Sequence, residues 1–347
     1  MKHEKYMQRC IELAEQAFGN TYPNPLVGSV IIYNNHIIGE GFHARAGEAH
    51  AEVNAIQSVA DKELLKDSTL YVNLEPCSHF GKTPPCCDLI IARSIPRVVV
   101  GCVDSYSEVA GRGIEKLRAH GVEVTVGVLE QECRAVNKRF FTYHEKQRPY
   151  IILKWAQTAD GYIDKAANQK PSTKGVAITD EDCRKEVHTW RTQEQAILVG
   201  TNTALFDNPD LTARLAEGHN PLRAVIDLHN RLPETLHVKN GKVPTVIYTL
   251  NPQESRTNVA YVRITDKEAL WNEIFADLYR RRIQSIIIEG GAKILNNCIA
   301  QNLWDEMRIL TVPVTFGAGV KAPAITLQPI RRTRIGNAEC ALYMNAQ

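Results

Sequence analysis

Pro76-Cys77-Ser78-His79-Phe80-Gly81-Lys82-Thr83-Pro84-Pro85-Cys86 is the stretch on which the fold turns. It follows an apolar run, Thr69–Leu74, that reads as a strand, and enters a helical pattern, Cys86–Ala92, behind two prolines suited to a first turn. Cys77 therefore lies just past a strand end. Cys86 lies at a helix start, where the dipole and the free amides favour thiolate over thiol. Upstream, His50-Ala51-Glu52 opens another helical pattern that runs from about Ala51 to Val59. One imidazole (His50) and two thiolates (Cys77, Cys86) suit a zinc ion that keeps its fourth position for water. Glu52 need not be a ligand; it can take a proton from that water and deliver it to a leaving group. Cys87 is about 100° further round the helix, which makes Cys86 the expected ligand. A closed structural site would want a fourth ligand, such as His79 or Cys87, but Glu52 beside His50 points to an open, catalytic one. A core histidine among buried thiols is the plain alternative. The His-x-Glu pair, two Pro-Cys units and the helix start together weigh against it.

Outward from this stretch, strands alternate with helices along the whole chain, the signature of an α/β protein. Val27–Tyr33 and His36–Gly41 flank Asn34-Asn35, a tight hairpin. Arg97–Val103 is a strand, Gly113–His120 a helix and Glu123–Val128 a further strand. The sequence turns polar at Tyr143–Pro149 and restarts with the strand Tyr150–Ala156, which sets the expected domains at 1–146 and 147–347. The second half holds strands at Ala196–Gly200, Arg223–Asp227, Thr245–Tyr248, Ser285–Ile288 and Met307–Val314. Helical patterns cover Asp180–Arg191, Lys267–Arg280 and Ala292–Ala300. Glu289-Gly290-Gly291 between strand and helix would expose amides at a helix N-terminus, a site for phosphate. An ordinary Gly-x-Gly-x-x-Gly dinucleotide fingerprint is absent.

At 347 residues two domains are expected, and 44% hydrophobic with 23% charged residues describe a soluble globular protein. A net charge of +2, with Arg280-Arg281-Arg282 as the densest basic run, argues against a nucleic-acid partner. Neither a secretory h-region nor a membrane-spanning apolar run is visible. Nine scattered cysteines do not form a disulfide framework, so a reducing cytoplasm fits.

Zinc-dependent base deaminases carry His-x-Glu … Pro-Cys-x-x-Cys; here the spacing is stretched to Cys77-x8-Cys86. With His50-Ala51-Glu52-Val53, Pro23-Asn24-Pro25-Leu26-Val27-Gly28 and Val109-Ala110-Gly111-Arg112-Gly113, that segment closely resembles the bifunctional deaminase–reductase family of riboflavin biosynthesis. Lys154-x-Ala156, Asp160-Gly161, Ile178-Thr179, Ala196–Gly200, Asp207-Asn208-Pro209-x-Leu211-Thr212-x-Arg214 and Glu289-Gly290-Gly291 resemble its reductase half. The resemblance implies a cytidine-deaminase-like three-layer domain followed by a dihydrofolate-reductase-like α/β domain. It implies one zinc per chain and hydrolytic deamination of 2,5-diamino-6-(5-phosphoribosylamino)pyrimidin-4-one. NADPH-dependent reduction of the ribosyl group to ribityl would follow. In the first domain Asn24, His43, Lys82, Thr83 and Asp104 would contact the substrate. In the second, Lys154, with Asp207 and Glu289, would polarise the reacting group and move protons. Ala156, Ala177, Thr203, Asp207, Leu228 and the run Gly291, Ala292, Lys293, Ile294, Leu295, Asn296 and Asn297 would line the cofactor. Gly175, Arg191, Leu211, Arg214 and Glu289 would hold the substrate, the arginines on its phosphate. The chain departs from the family pattern at Ser105-Tyr106-Ser107 after Asp104, and at Gly175, Ala177 and Leu228. A small-molecule substrate, no nucleic-acid or membrane partner, and a cytoplasmic homo-oligomer are expected. The competing readings are a base-flipping nucleic-acid deaminase and a zinc-stabilised binding module. The weak charge opposes the first; the presence of Glu52, Lys154 and Asp207 opposes the second.

Overall fold

Successive side chains of a strand point to opposite faces, and in the first half of the chain both faces are apolar. The structure, a computed structural model, describes residues 2–78, 84–105, 110–165 and 178–345. It divides into units spanning Met1–Gln147 and Arg148–Gln347. The first unit comprises α1 (Lys2–Glu15), β1 (Gly28–Tyr33), β2 (His36–Phe42), α2 (Ala51–Ser58), β3 (Thr69–Leu74), α3 (Cys86–Ala92), β4 (Arg97–Cys102), α4 (Arg112–Ala119), β5 (Glu123–Val126), α5 (Glu130–Val136) and α6 (Lys138–Lys146). Its sheet has the order β2-β1-β3-β4-β5. β1 runs antiparallel to its neighbours, while β3, β4 and β5 are parallel. Val30, Ile32, Tyr71 and Val99 pack against Met7, Ile11, Cys133 and Phe140 of α1, α5 and α6. Ile31, Leu70, Val72, Val98 and Val100 pack against Ile56, Ile90 and Leu117 of α2, α3 and α4. Three layers follow directly from the alternation.

The hairpin turn has Asn34 and Asn35 at φ 47° and 66°, the left-handed pair that a two-residue turn requires. The helix α6 was not singled out from the sequence, and its last part, Tyr143–Lys146, lies where the sequence turns polar. That helix is short, and its buried face rests mainly on Phe140 and Phe141, too brief a stripe to register as periodicity.

The second unit comprises β6 (Tyr150–Thr158), β7 (Tyr162–Asp164), α7 (Glu181–Gln193), β8 (Ala196–Gly200), α8 (Thr201–Asp207), β9 (Leu222–Ile226), β10 (Thr245–Thr249), β11 (Val259–Arg263), α9 (Leu270–Arg280), β12 (Ser285–Gly290), α10 (Ala292–Ala300), β13 (Glu306–Val312), β14 (Val320–Lys321), β15 (Arg331–Ile335) and β16 (Ala338–Met344). The main sheet has the order β11-β10-β9-β8-β12-β6-β13-β16-β15. Strands β11 through β13 in that order pair parallel; β16 and β15 join antiparallel. Ile151 and Leu153 face Trp271, Ile274 and Leu295 of α9 and α10. Tyr150 and Ile152 face Cys183, Val187 and Trp190 of α7. No helix among the described residues is long and apolar enough to cross a membrane.

Gly28 lies where α1 crosses β1. A Cβ there would overlap the Cys10 carbonyl oxygen and crowd the Ala14 amide. Gly28→Ala should cost about 1–3 kcal/mol by overpacking. Because all four tryptophans (Trp155, Trp190, Trp271, Trp304) lie in the second unit, the loss should appear in far-UV circular dichroism during urea unfolding. The tryptophan fluorescence transition should not move with it. An unshifted far-UV midpoint would show that the helix can simply lift off the strand.

Candidate functional site

The parallel strands of the first unit end together, and the chemistry collects at their carboxyl ends. Cys77 follows β3, Cys86 opens α3, and His50 is the N-cap residue of α2, with no capping hydrogen bond from its side chain. The ligand atoms of His50, Cys77 and Cys86 all lie within 4.8 Å of one another. Cys86 Sγ is 3.3 Å and Cys77 Sγ 3.6 Å from His50 Nδ1. The Cys86 amide donates to Cys77 Sγ at 3.3 Å. Hydrogen bonding from Cys86 holds the Cys77 thiol down at about 4, whereas the hydrogen bond to Cys77, with burial, pushes Cys86 up. This is a donor set of one nitrogen and two sulfurs, drawn together around a point that a soft divalent cation fits. Cys87 is turned away, its Sγ donating to the carbonyls of Pro76 and Gly113 at 3.3 and 3.5 Å. All nine cysteines are free thiols, and Cys77 alone among them is not fully buried.

Glu52, 3% exposed, lies beside the trio, and burial, helped by the charge of Cys77, pushes its carboxyl up to about 7. A carboxyl so placed can hold a proton near neutrality and release it again. His43 stands edge-on to His50, ring centroids 5.4 Å apart. Its Nδ1 is 3.1 Å from the Ala49 carbonyl oxygen, which can only accept, so Nδ1 carries the proton. Burial lowers its pKa and keeps the ring neutral, leaving Nε2 as an acceptor 3.0 Å from Asn24 Nδ2. The Asn24 amide nitrogen is thereby committed to His43. Its Oδ1 is the atom turned to accept. Asp104 is buried after β4 with its amide on Glu75. Lys82 and Thr83, like His79, lie outside the described residues.

In the second unit Lys154, Glu289 and Arg191 form one buried chain of charges. Lys154 Nζ is 3.8 Å from Glu289 Oε1, and Arg191 donates to Glu289 from Nη2 at 2.7 Å and Nε at 3.3 Å. Burial alone would raise Glu289, but the charges of Arg191 and Lys154 outweigh it and hold the carboxyl at about 2. Burial lowers Lys154 from its usual range. Arg191 Nη1 also donates to the Thr212 carbonyl at 3.0 Å, so three of its nitrogens serve the protein. Arg214 is more exposed and sits 3.5 Å from Asp210. Leu211 is buried at φ 52° in the same loop. Burial, with the nearby charge of Asp164, raises Asp207 to about 6.

Ala156, Thr203, Leu228 and Gly291 lie at or just beyond the carboxyl ends of β6, β8, β9 and β12. Gly291 is the N-cap of α10 and has no side chain to cap it; a Cβ there would stand 3.2 Å from Thr203 Oγ1. Of the run Gly291–Asn297, Ala292 and Lys293 form the first turn. Ile294 packs near Gly200, and Leu295 is fully buried in the core. Asn296 donates to the Ala292 carbonyl, and Asn297 Oδ1 accepts from Trp271 Nε1 at 2.6 Å. Backbone at the helix start, not those later side chains, is what a ligand would meet. Gly175 and Ala177 lie outside the described residues. Two residues near these sites were not singled out from the sequence. Glu75, next to Pro76-Cys77, takes several backbone amides. His188, one turn before Arg191, accepts the Leu215 amide at 3.3 Å, and burial lowers it to about 4. An i, i+3 spacing from Arg191 was the available sign of His188.

Comparison with known proteins agrees on both halves. Residues 149–343 match the RibD C-terminal domain family, and residues 1–102 match the cytidine and deoxycytidylate deaminase zinc-binding region. The riboflavin biosynthesis protein RibD of Aquifex aeolicus is 38% identical over 336 residues, covering 95% of this chain and 92% of that protein. Its counterpart in Escherichia coli K12 is 33% identical, covering 92% of this chain and 90% of that protein. A crystal structure from Thermotoga maritima, described as a diaminohydroxyphosphoribosylaminopyrimidine deaminase/5-amino-6-(5-phosphoribosylamino)uracil reductase, superposes with a TM-score of 0.86 at 36% identity. It covers 98% of each chain. With a cytidine-deaminase-like unit carrying a His/Cys/Cys zinc trio, and a dihydrofolate-reductase-like unit of the NADPH-dependent RibD type behind it, the chain belongs to the RibD family of bifunctional deaminase–reductases of riboflavin biosynthesis.

Proposed function

We propose that residues 1–146 hydrolyse the exocyclic amine of 2,5-diamino-6-(5-phosphoribosylamino)pyrimidin-4-one. Residues 147–347 then reduce the ribosyl group of the product, 5-amino-6-(5-phosphoribosylamino)uracil, to ribityl. The observation that carries this reading is the open trio His50, Cys77 and Cys86 with the buried carboxyl of Glu52 beside it. Those three side chains would hold zinc, whose Lewis acidity acidifies a water molecule. Glu52 takes a proton from the water to the ring nitrogen as the hydroxide adds, then carries the hydroxyl proton to the departing amine, so ammonia leaves as the carbonyl forms. Asn24 Oδ1, fixed as an acceptor by the His43 tautomer, reads a donor on the pyrimidine. Lys82, Thr83 and Asp104 complete the grip on the ring and its phosphoribosyl arm.

When bound, NADPH would supply hydride in the second unit, and the uncapped start of α10 at Gly291 offers amides that would hold its phosphates. Ala156, Ala177, Thr203, Asp207 and Leu228 are the residues proposed to border it. Lys154 holds a proton at Nζ beside the reacting sugar carbon, with its ammonium balanced by Glu289. Asp207, raised toward neutrality by burial, relays protons. Gly175, Leu211 and Glu289 seat the substrate. Arg214 meets the phosphate directly, and Arg191 faces the same end while fixing Glu289. Nine free thiols suit a reducing cytoplasm, and a weak net charge suits a small-molecule substrate without nucleic-acid or membrane partners. We expect a homo-oligomer.

Metal analysis and two separate assays test the first half. Cys86→Ser should lose zinc and Cys87→Ser should keep it. Glu52→Gln should keep zinc and lose deamination by about 10²-fold or more, while still reducing the deaminated intermediate. Equal zinc loss in both cysteine variants, or collapse of reduction in Glu52→Gln, would contradict the assignment. For the second half, Arg214→Ala should weaken intermediate binding by about ten- to a hundredfold, with NADPH affinity nearly unchanged. Loss of NADPH affinity with normal intermediate binding would reassign this arginine to the cofactor.

A further inference from the structure

Glu75 has no role in the chemistry above, yet its carboxylate is 4% exposed and surrounded by backbone donors. Its Oε2 accepts the amides of Gly111 at 2.9 Å and Asp104 at 3.2 Å. Its Oε1 accepts those of Gly113 at 2.8 Å and Ile114 at 3.3 Å. Gly111 is the N-cap of α4, and glycine has no side chain with which to cap. Glu75 supplies the missing cap from just past the end of β3 and places a carboxyl group at the positive end of that helix. The fit is close. A Cβ on Gly113 would overlap the Pro76 carbonyl oxygen and stand 3.1 Å from Glu75 Oε1. Glu75 itself continues β3, its amide donating to the Cys102 carbonyl at 3.0 Å, and Cys77 follows two residues later.

We infer that Glu75 is a positioning residue for deamination, locking the segment that carries Asp104 to the strand end that carries Cys77. Through one carboxylate, the backbone that presents the substrate contact is held at a fixed distance from the metal ligands. The inference rests on the reading above that Asp104 contacts the substrate. It reaches further, because it says what sets Asp104 in place. A carboxylate accepting four amides cannot be replaced by an amide side chain, which offers one accepting oxygen.

Glu75→Gln, Asp104→Ala and the double variant test it, with zinc content, KM and kcat for deamination, and reduction of the supplied intermediate as readouts. Glu75→Gln should keep its zinc and its reductase activity. Its KM should rise about tenfold with kcat little changed, the cost of one lost charge-assisted contact. The double variant should be no worse than Asp104→Ala. A Glu75→Gln effect that multiplies onto Asp104→Ala, or that falls on kcat or zinc content, overturns the inference. If Asp104→Ala itself leaves KM unchanged, the substrate-contact reading has failed. If only Glu75→Gln leaves it unchanged, that reading stands and the role of Glu75 falls. Hydrogen exchange in the wild-type holoenzyme needs no variant to fold. The amides of Asp104, Gly111, Gly113 and Ile114 should be protected together, and exchange at open-loop rates would equally overturn the inference.

Discussion

Parallel pairing is the constraint from which both candidate sites follow. Strands that run the same way must end at the same edge, so whatever follows them in sequence is gathered there. Leu74 is in register with Cys102, which puts Cys77 and Asp104 beyond the same edge of the first sheet although 27 positions separate them in sequence. Gly290 is in register with Val199, which brings the starts of α8 and α10 side by side. Loops can then differ without moving the scaffold, and the candidate residues gather at this end from strands (Lys154, Glu289), loops (Cys77, Asp104) and helix starts (His50, Cys86) alike.

The two units treat buried charge in different ways. In the second, every member of the Lys154–Glu289–Arg191 chain has an opposite charge within reach, and Glu289 stays ionised despite its burial. Such a chain is rigid and keeps a fixed electrostatic field at the proposed substrate site. In the first, the thiols of Cys77 and Cys86 press together so that one favours thiolate and the other stays protonated, and a cation shared between them would favour both as thiolates. Glu52 feels that same crowding, since the charge of Cys77 helps burial to raise it. Metal affinity and the acidity of Glu52 are therefore linked properties of one pocket.

Much of this was legible in the residues, for reasons that can be stated one at a time. Strands buried on both faces make largely apolar runs, so Thr69–Leu74 and Ala196–Gly200 stand out with the bounds they have in the fold. The metal trio was legible because its ligands fall at strand ends and helix starts, places that prolines and periodicity mark. Elements with little apolar surface escaped: α6 with its two phenylalanines, and β15, exposed along almost its whole length. Arg191 shows a different limit. A sequence offers an arginine near a phosphate site, but only the fold reveals that three of its nitrogens are engaged by Glu289 and Thr212. Glu75 escaped because its partners are backbone amides, which carry no residue code.

The cysteines carry one more consequence. Eight of the nine are sealed inside the protein, and the exception, Cys77, is also the one drawn toward thiolate. Oxidants and alkylating reagents react with accessible thiolates, so in the metal-free protein this sulfur is the most open to them. A bound metal ion, by occupying the lone pair that a peroxide would attack, becomes a shield as well as a catalyst.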